Sequence, residues 1–508
     1  MEIILVNPPS DTYRNPEEHL GLSYIKSFLA RYGHDVEIID GYLSRLDVDS
    51  IIRKIINSRF CKIVGISPYI DSLPYALSIT EAVKESRPDI HICWGGHLAT
   101  FSASELLSKH TGIDSIVRGE GEETFFSLVQ AIESGQPLGT NIKGLATRSG
   151  SDIIISPPRD LIKDLDSLLF PDRAGSLESY SSGSLAQISG SRGCYGNCSF
   201  CSINSIYRLS NGRAWRGRSP ENIVKELEYL YNKYGFDSFK FVDDSFFGPE
   251  KNWRHRGLKI AEGILKSRLK IRFRISVRAN NVDEAVFQRL KDAGLYAVSI
   301  GIESGVQRIL DIFNKGLSVR QNSEALSILN QLDIITLMGF IGFDPYITLE
   351  EISQNIAFLE QNHFALTDVL SKSLYVHADD AITKKLLADG LITGRDFPNY
   401  RYQIIDGRSA LVLKMMEEWN KHNKDLYYKV SDPLTAPRRT DKKKEGRILA
   451  FSRKLRKIDL MILKNIVKMV TTGYNEQEIK QYLEKQQVRY SPIWEKISAN
   501  FLALRPSL

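Results

Sequence analysis

Ser191–Asn204 reads SRGCYGNCSFCSIN. Three of the chain's five cysteines, Cys194, Cys198 and Cys201, fall within eight residues of this stretch. The spacing is Cys-x3-Cys-x2-Cys, with no fourth cysteine to complete a metal site. Structural zinc takes four ligands in tetrahedral geometry. The histidines of the second half, His255, His363, His377 and His422, lie far off in sequence, so a fourth ligand would have to be recruited through the fold. Three buried structural thiols are the plainer reading, but Gly193, Gly196, Asn197 and Ser199 suit a turn wrapped around something rather than a core. An iron–sulfur cubane normally takes four thiolates. Three would leave one iron open to an exogenous ligand, such as an amino acid chelating through amine and carboxylate.

Around this loop the chain alternates short apolar strands with amphipathic helices. LAQISG precedes the cysteines. DSFKFVD, IRFRISVR, YAVSIGI, DIITLMGFIGF and DVLSKSLYV follow, about six βα units against the eight of a complete (β/α)8 barrel. The clearest helix is Pro220–Tyr234, with Ser219 as N-cap and proline at the first helical position. IRFRISVR puts Ile271, Phe273, Ile275 and Val277 on one face and Arg272, Arg274, Ser276 and Arg278 on the other. A parallel strand covered on both sides is normally apolar on both. The polar face fits a barrel lumen holding a polar ligand; the alternative is an edge strand facing water.

The N-terminal region has the same rhythm: EIILVN, DVEIID, KIVGIS, IHICWGG and DSIVRG, with amphipathic stretches between them. The pattern predicts a doubly wound parallel sheet, which binds ligands in the loops at its strand carboxyl ends. Those loops read NPPS, SPYID, GGHLAT and RGEGE. The expected organisation is a Rossmann-like domain over 1–140, a turn-rich linker over 141–183, a partial barrel over 184–378 and a helical region over 379–508.

Composition bounds the rest. The chain has 508 residues, 67 basic against 61 acidic, for a net charge of +6, which makes no case for nucleic acid. No run approaches the ~18 apolar residues of a membrane span. MEIILVNPPSDTYRN has no basic n-region or small-residue cleavage site, and an odd, uneven cysteine set is no disulfide framework. The expected location is the reducing cytoplasm. The basic stretch PRRTDKKKEGRILAFSRKLRKIDLMILKNIVKMV is read as a solvated charge run beside a core helix, in preference to a membrane-surface helix.

The cluster loop resembles the signature of the radical S-adenosylmethionine enzymes. Phe200 matches its aromatic position, and the loop follows the first barrel strand as in that family. The resemblance implies a [4Fe–4S] cluster on Cys194, Cys198 and Cys201 whose open iron chelates S-adenosylmethionine. It also implies cofactor contacts from Asp243 and Asp244 in FVDDSFF, Ser276 and Arg278 in SVRAN, and Glu303 and Ser304 in GIESGVQRILDIFNKG. Glu303 also reads as a helix-dipole carboxylate. GFDPYITLEE resembles the fifth-strand end, although Asp344 departs from the commoner Gly-Phe-Pro; Thr348 with Glu351 reads as a capping box. YVHADDAI lacks the Gly-Thr-Pro often found there.

The N-terminal region resembles the cobalamin-binding domain joined to one subclass of these enzymes, the class B methyltransferases. The matching positions are Pro8 and Pro9, Ser67, Gly95, Gly96 and His97, and Gly119, Glu120, Gly121 and Glu122. No Asp-x-His-x-x-Gly loop follows the first strand. His34 reads as a turn residue and His97 as a pocket residue, so no protein imidazole is expected on cobalt. Cys61 and Cys93 read as small buried hydrophobes, too few for a second cluster; this argues against the methylthiotransferases.

The resemblance implies a 5′-deoxyadenosyl radical, and methyl transfer from methylcobalamin to an unactivated carbon or phosphorus of a specialised metabolite. A flavodoxin or ferredoxin would donate electrons. Rearrangement or cyclisation with the same cofactors is the second reading. A sensor or binding protein without turnover is a third, of another class. Neither the catalytic residues beyond these cofactor contacts nor the substrate can be read from the motifs.

Overall fold

The computed structural model describes residues 1–11, 17–249, 251–365, 370–377, 380–396, 399–423, 426–427, 430 and 442–502. The chain divides into two compact units: residues 1–194 with 202–236, and residues 195–201 with 237–508.

In the first unit the apolar runs form β1 (Glu2–Asn7), β2 (Asp35–Asp40), β3 (Cys61–Ile66), β4 (His91–Trp94) and β5 (Ser115–Val117), each followed by helix. They pair in parallel in the order β2-β1-β3-β4-β5. The order reverses direction at β1 and β3, which opens a crevice at their carboxyl ends. Ile3, Leu5, Ile63, Val117, Phe125 and Leu128 are buried together on one side of the sheet. The stretch read as linker contributes β6 (Leu145–Ser149) and β7 (Asp152–Ile155), an antiparallel hairpin that continues the sheet beside β5. Strands this short carry little periodicity, and the flanking Gly, Ser and Pro read as connector.

The remainder of this unit holds β8 (Ala186–Ile188), an antiparallel pair of β9 (Ser191–Arg192) with β10 (Arg216–Gly217), and the helix Pro220–Tyr234. That helix is capped by the Ser219 hydroxyl, which accepts from the Asn222 N–H, and ends on Gly235 at φ 70°. A buried chain of charges fixes it. Glu18 binds Arg173 at 2.9 Å, Arg173 binds Glu226 at 2.6 Å, and Glu226 also takes Arg218. Two arginines and two glutamates cancel in charge, which makes their burial tolerable.

The second unit carries β11 (Ser238–Phe241), β12 (Arg272–Arg278), β13 (Leu295–Glu303) and β14 (Ile335–Phe340), all parallel and in sequence order. Glycines mark the tightest joints: a Cβ on Gly294 would stand 2.1 Å from the Ile271 carbonyl oxygen. β12 lies between β11 and β13, so it is an interior strand and not an edge. Its burial alternates as the sequence does, with Phe273, Ile275 and Val277 buried and Arg272, Arg274 and Ser276 half-buried. The expected strand DVLSKSLYV is reduced, among its described residues, to an isolated bridge from Phe343 to Ser373; its first two residues, 368–369, lie outside the described residues.

Beyond it the chain is helical. The helices Gly407–Lys421, Lys442–Thr471 and Glu476–Leu502 dominate, together with the short strands Ile392–Asp396 and Asn399–Tyr402. The basic stretch forms most of Lys442–Thr471; its first residues, 437–441, lie outside the described residues. Its apolar face is buried through Ile448, Leu455, Ile462 and Ile466. No helix among the described residues is long and apolar enough to cross a membrane.

Candidate functional site

The second unit gathers the segment Tyr195–Cys201 and the carboxyl ends of β12 and β13. The segment is strapped down at Tyr195, Asn197, Ser199 and Phe200. The Ser199 N–H donates to the Phe313 carbonyl at 2.8 Å and its hydroxyl to the Ile312 carbonyl at 3.0 Å. Asn314 donates to the Asn197 carbonyl at 2.8 Å, and the Ile382 N–H to the Ser199 carbonyl at 2.8 Å. Phe200 meets Phe313 edge to face, 5.1 Å between ring centres. Tyr195 donates to Asn281 Oδ1 at 2.5 Å. A loop so rich in glycine and polar residues has little core of its own, so these bonds to the GVQRILDIFNKG segment hold its shape.

Arg278 is the hub. It is buried, its Nη1 lies 3.4 Å from Cys198 Sγ, and its Nη2 donates to the Lys315 carbonyl at 2.5 Å. The guanidinium also lies over the Tyr195 ring, 5.4 Å from its centre. A Cβ on Gly196 would stand 2.3 Å from Arg278 Nη1, so glycine lets the loop close over the arginine without moving its guanidinium. Lys315 in turn binds Glu303 at 2.8 Å. Glu303 holds φ 67°, a left-handed conformation uncommon outside glycine and strained for this side chain. Gly301 leaves room for that pair: a Cβ there would stand 2.5 Å from Glu303 Oε1 and 2.8 Å from Lys315 Nζ.

Ser304 is fully buried and turned to Asn355, with Oγ 3.1 Å from Asn355 Oδ1. Asp243 is buried at the end of β11, Asp244 beside it is exposed, and Ser276 is half-buried. Thr348 and Glu351 form the capping box their spacing indicates. Asp344, at the departure from Gly-Phe-Pro, is wholly buried, and burial pushes its carboxyl up to about 6. Among the cysteines, Cys198 is buried, and Cys194 and Cys201 are partly exposed. Among the described residues no three His, Cys, Asp or Glu side chains are already gathered as a metal-ligand set. The donors nevertheless fit an iron–sulfur cluster: three soft thiols on a loop, one of them already neighboured by a cation that would stabilise its thiolate.

In the first unit the crevice between β1 and β3 gathers the N-terminal residues. Pro8 and Pro9 follow β1, and Ser67 ends β3, buried. Gly96 opens the β4 loop at φ 86°, and a Cβ on it would stand 2.9 Å from Ser67 Oγ. His97 beside it is exposed. Cys61 and Cys93 are buried in β3 and β4, and burial pushes their thiols up to about 11 and about 12. Gly96, exposed and without a side chain beside Ser67, leaves this strand end open, which fits a ligand laid on the strand ends.

His19, which no motif marks, reaches Ser67 at the end of β3. Its Nδ1 accepts from the Leu22 N–H at 3.2 Å, capping the helix Leu20–Ala30, and its Nε2 lies 3.1 Å from Ser67 Oγ. The first bond puts the proton on Nε2, which donates to Ser67. Burial pushes its pKa down to about 4, so the ring is neutral at pH 7. Both nitrogens are engaged, and neither is free for cobalt. The available signal was its place just before LGLSYIKSFLA, where an N-cap residue is expected.

In the RGEGE loop both glutamates are engaged by arginines of the same unit. Gly119 takes φ 79° and its N–H donates to Thr100 Oγ1 at 3.1 Å, and Gly121 starts the next helix. Glu120 binds Arg192 at 3.1 Å and Arg216 at 2.9 Å, while Glu122 binds Arg192 at 2.5 Å. Arg192 and Arg216 face each other across the β9–β10 pair, where two like charges would repel. Burial alone would raise Glu120, but the two arginines outweigh it and hold the carboxyl below its ordinary value. These two glutamates therefore serve the base of the cysteine loop. The signal was the arginine two positions before Cys194.

The B12 binding domain model matches residues 10–129, and the Radical SAM superfamily model matches residues 188–359. An uncharacterised methyltransferase of Pyrococcus horikoshii is 32% identical over 369 residues, 71% of this chain and 78% of that one. An anaerobic magnesium-protoporphyrin IX monomethyl ester cyclase of Synechocystis sp. is 28% identical over 354 residues, 67% of this chain and 68% of that one. The solved structure of OxsB, a cobalamin-dependent S-adenosylmethionine radical enzyme with aqua-cobalamin and S-adenosylmethionine bound, has a TM-score of 0.83 at 18% identity. It covers 100% of this chain and 82% of that chain, a likeness of fold.

Proposed function

The chain belongs to the radical S-adenosylmethionine superfamily, in the branch with a B12-binding domain, and on that premise we propose that it methylates an unactivated carbon or phosphorus of a small specialised metabolite. It is an enzyme whose cofactors are a [4Fe–4S] cluster, S-adenosylmethionine and cobalamin, and it needs a one-electron reductant. The observation that carries the proposal is the strapped loop Tyr195–Cys201 with Arg278 on the Cys198 sulfur. The methyl-transfer reading is supported by the methyltransferase relative.

When bound, these cofactors supply a 5′-deoxyadenosyl radical and a methyl carrier. Cys194, Cys198 and Cys201 hold the cluster. Arg278 balances the thiolate charge at Cys198 and fixes the loop against Lys315. Lys315 holds Glu303, which with Asp243 and Asp244 would bind S-adenosylmethionine. Phe200 and Phe313 keep water from the loop. In the crevice of the first unit, Pro8, Pro9, Ser67, Gly95, Gly96, His97 and the Gly119–Gly121 turn would hold cobalamin. A flavodoxin or ferredoxin of the cytoplasm supplies the electron.

Anaerobically reconstituted protein with S-adenosylmethionine and reductant should release 5′-deoxyadenosine. Release by Cys198→Ala equal to wild type would sink the assignment. The cyclase relative favours a second reading, ring closure with the same cofactors. Labelled methyl from S-adenosylmethionine appearing in the product supports transfer, and its absence supports ring closure.

A further inference from the structure

At the amino-terminal end of β14, opposite the end that carries Gly342 and Asp344, lies a cavity of about 70 Å³. It is lined by Asn330 and Asp333 before β14, by His363 and Phe364, and by Arg453 and Arg456 of the helix Lys442–Thr471. Arg456 is half-buried and spends Nη1 on the carbonyls of Asn362 and Phe364, each at 3.2 Å, with its guanidinium 4.5 Å from the Phe364 ring centre. Arg453 is exposed and forms no hydrogen bond or ion pair among the described residues. Burial first, and then the Arg453 cation, push Arg456 below its ordinary value. Asp333 shares the cavity but makes no ion pair with either arginine among the described residues.

Two arginines one helical turn apart line a small cavity, and neither forms an ion pair among the described residues, an arrangement suited to an oxyanion. A carboxylate has two oxygens and saturates one fork. A phosphate monoester offers three, enough for both forks and for Asn330 or His363 beside them. The volume admits one such group but no large ligand. We propose that this cavity is a phosphate-binding site, separate from the cofactor site and independent of the methyl-transfer reading. The phosphate could be free or carried on a lipid: Lys454, Lys457 and Lys468 are exposed on the same helix.

The full-length protein should bind inorganic phosphate with one-to-one stoichiometry by titration calorimetry, against chloride at matched ionic strength. Arg453→Gln removes no hydrogen bond among the described residues, and should weaken binding about tenfold or more without lowering the melting temperature. Arg456→Gln should abolish binding, and only Arg453→Gln is needed if that variant fails to fold. Sedimentation with phosphatidic acid vesicles but not phosphatidylcholine vesicles, lost in Arg453→Gln, identifies a lipid headgroup as the source. Phosphate binding without vesicle binding identifies a free phosphate. No binding at ~10 mM phosphate, or equal binding by Arg453→Gln, overturns the proposal.

Discussion

Gly196 and Arg278 define the site at the smallest scale. The arginine passes so close beneath the loop that a methyl group at Gly196 would stand 2.3 Å from its Nη1, and the guanidinium would have to shift. Gly196→Ala should therefore push the guanidinium off Cys198 and open the loop. The expected outcome is a folded protein that retains less than half of the wild-type iron and sulfide after reconstitution, measured per chain. Full loading in that variant would show that the arginine moves without consequence. The cysteines, Phe200 and Arg278 were legible in the sequence because each sits at a fixed offset in a dense motif. Lys315 was not: a lysine before a glycine reads as a helix end, and only the fold carries its ammonium to Glu303. His19 was missed for a related reason. It lies outside the spacing of a cobalt-binding loop, and its partners Leu22 and Ser67 are respectively local and 48 residues away.

At the scale of elements, charge decides what apolar pattern leaves open. The helix Pro220–Tyr234 was readable from its cap, its proline and its apolar stripe, yet its anchor is Glu226, a residue the stripe does not mark. Glu226 accepts from both Arg173 and Arg218 in a fully buried setting. Glu226→Gln keeps the shape and removes the charge, leaving two buried cations with Glu18 alone. The expected loss is about 3–5 kcal/mol of stability, read as a fall in the urea midpoint at unchanged slope. A fall below ~1 kcal/mol would mean that water already screens the group. The hairpin β6–β7 shows the converse. Its strands add to the sheet by backbone pairing beside β5, a gain that needs almost no side-chain pattern and so leaves almost none.

For the molecule as a whole, the C-terminal helices are tied by one buried carboxyl. Asp459 accepts from the Trp419 indole at 2.9 Å and from the Tyr427 hydroxyl at 2.6 Å, and burial pushes it up to about 6. The unfolded chain ionises the same group near the ordinary carboxylate value of ~4. The folded state therefore holds the extra proton between those values. The stability this carboxyl contributes is complete below about pH 4 and is lost as pH rises through about 6. The loss is on the order of 1–3 kcal/mol. Asp459→Asn cannot titrate, so its urea midpoint should fall less than that of wild type between pH 4.5 and 7, a window set by those two values. Parallel curves would place the titration elsewhere.

The sequence by itself determined the two parallel α/β layouts, the cysteine loop and the cofactor class, because apolar periodicity and motif spacing are local properties of the chain. Only tertiary packing decided that Glu120 and Glu122 brace Arg192 and Arg216, that Arg278 rests on Cys198, that His19 is neutral with both nitrogens engaged, and that Arg453 and Arg456 line one cavity with no ion pair to either among the described residues. Each of these depends on the distance and burial of charges far apart in sequence. Coulomb energy and desolvation follow position in space, which residue order does not record.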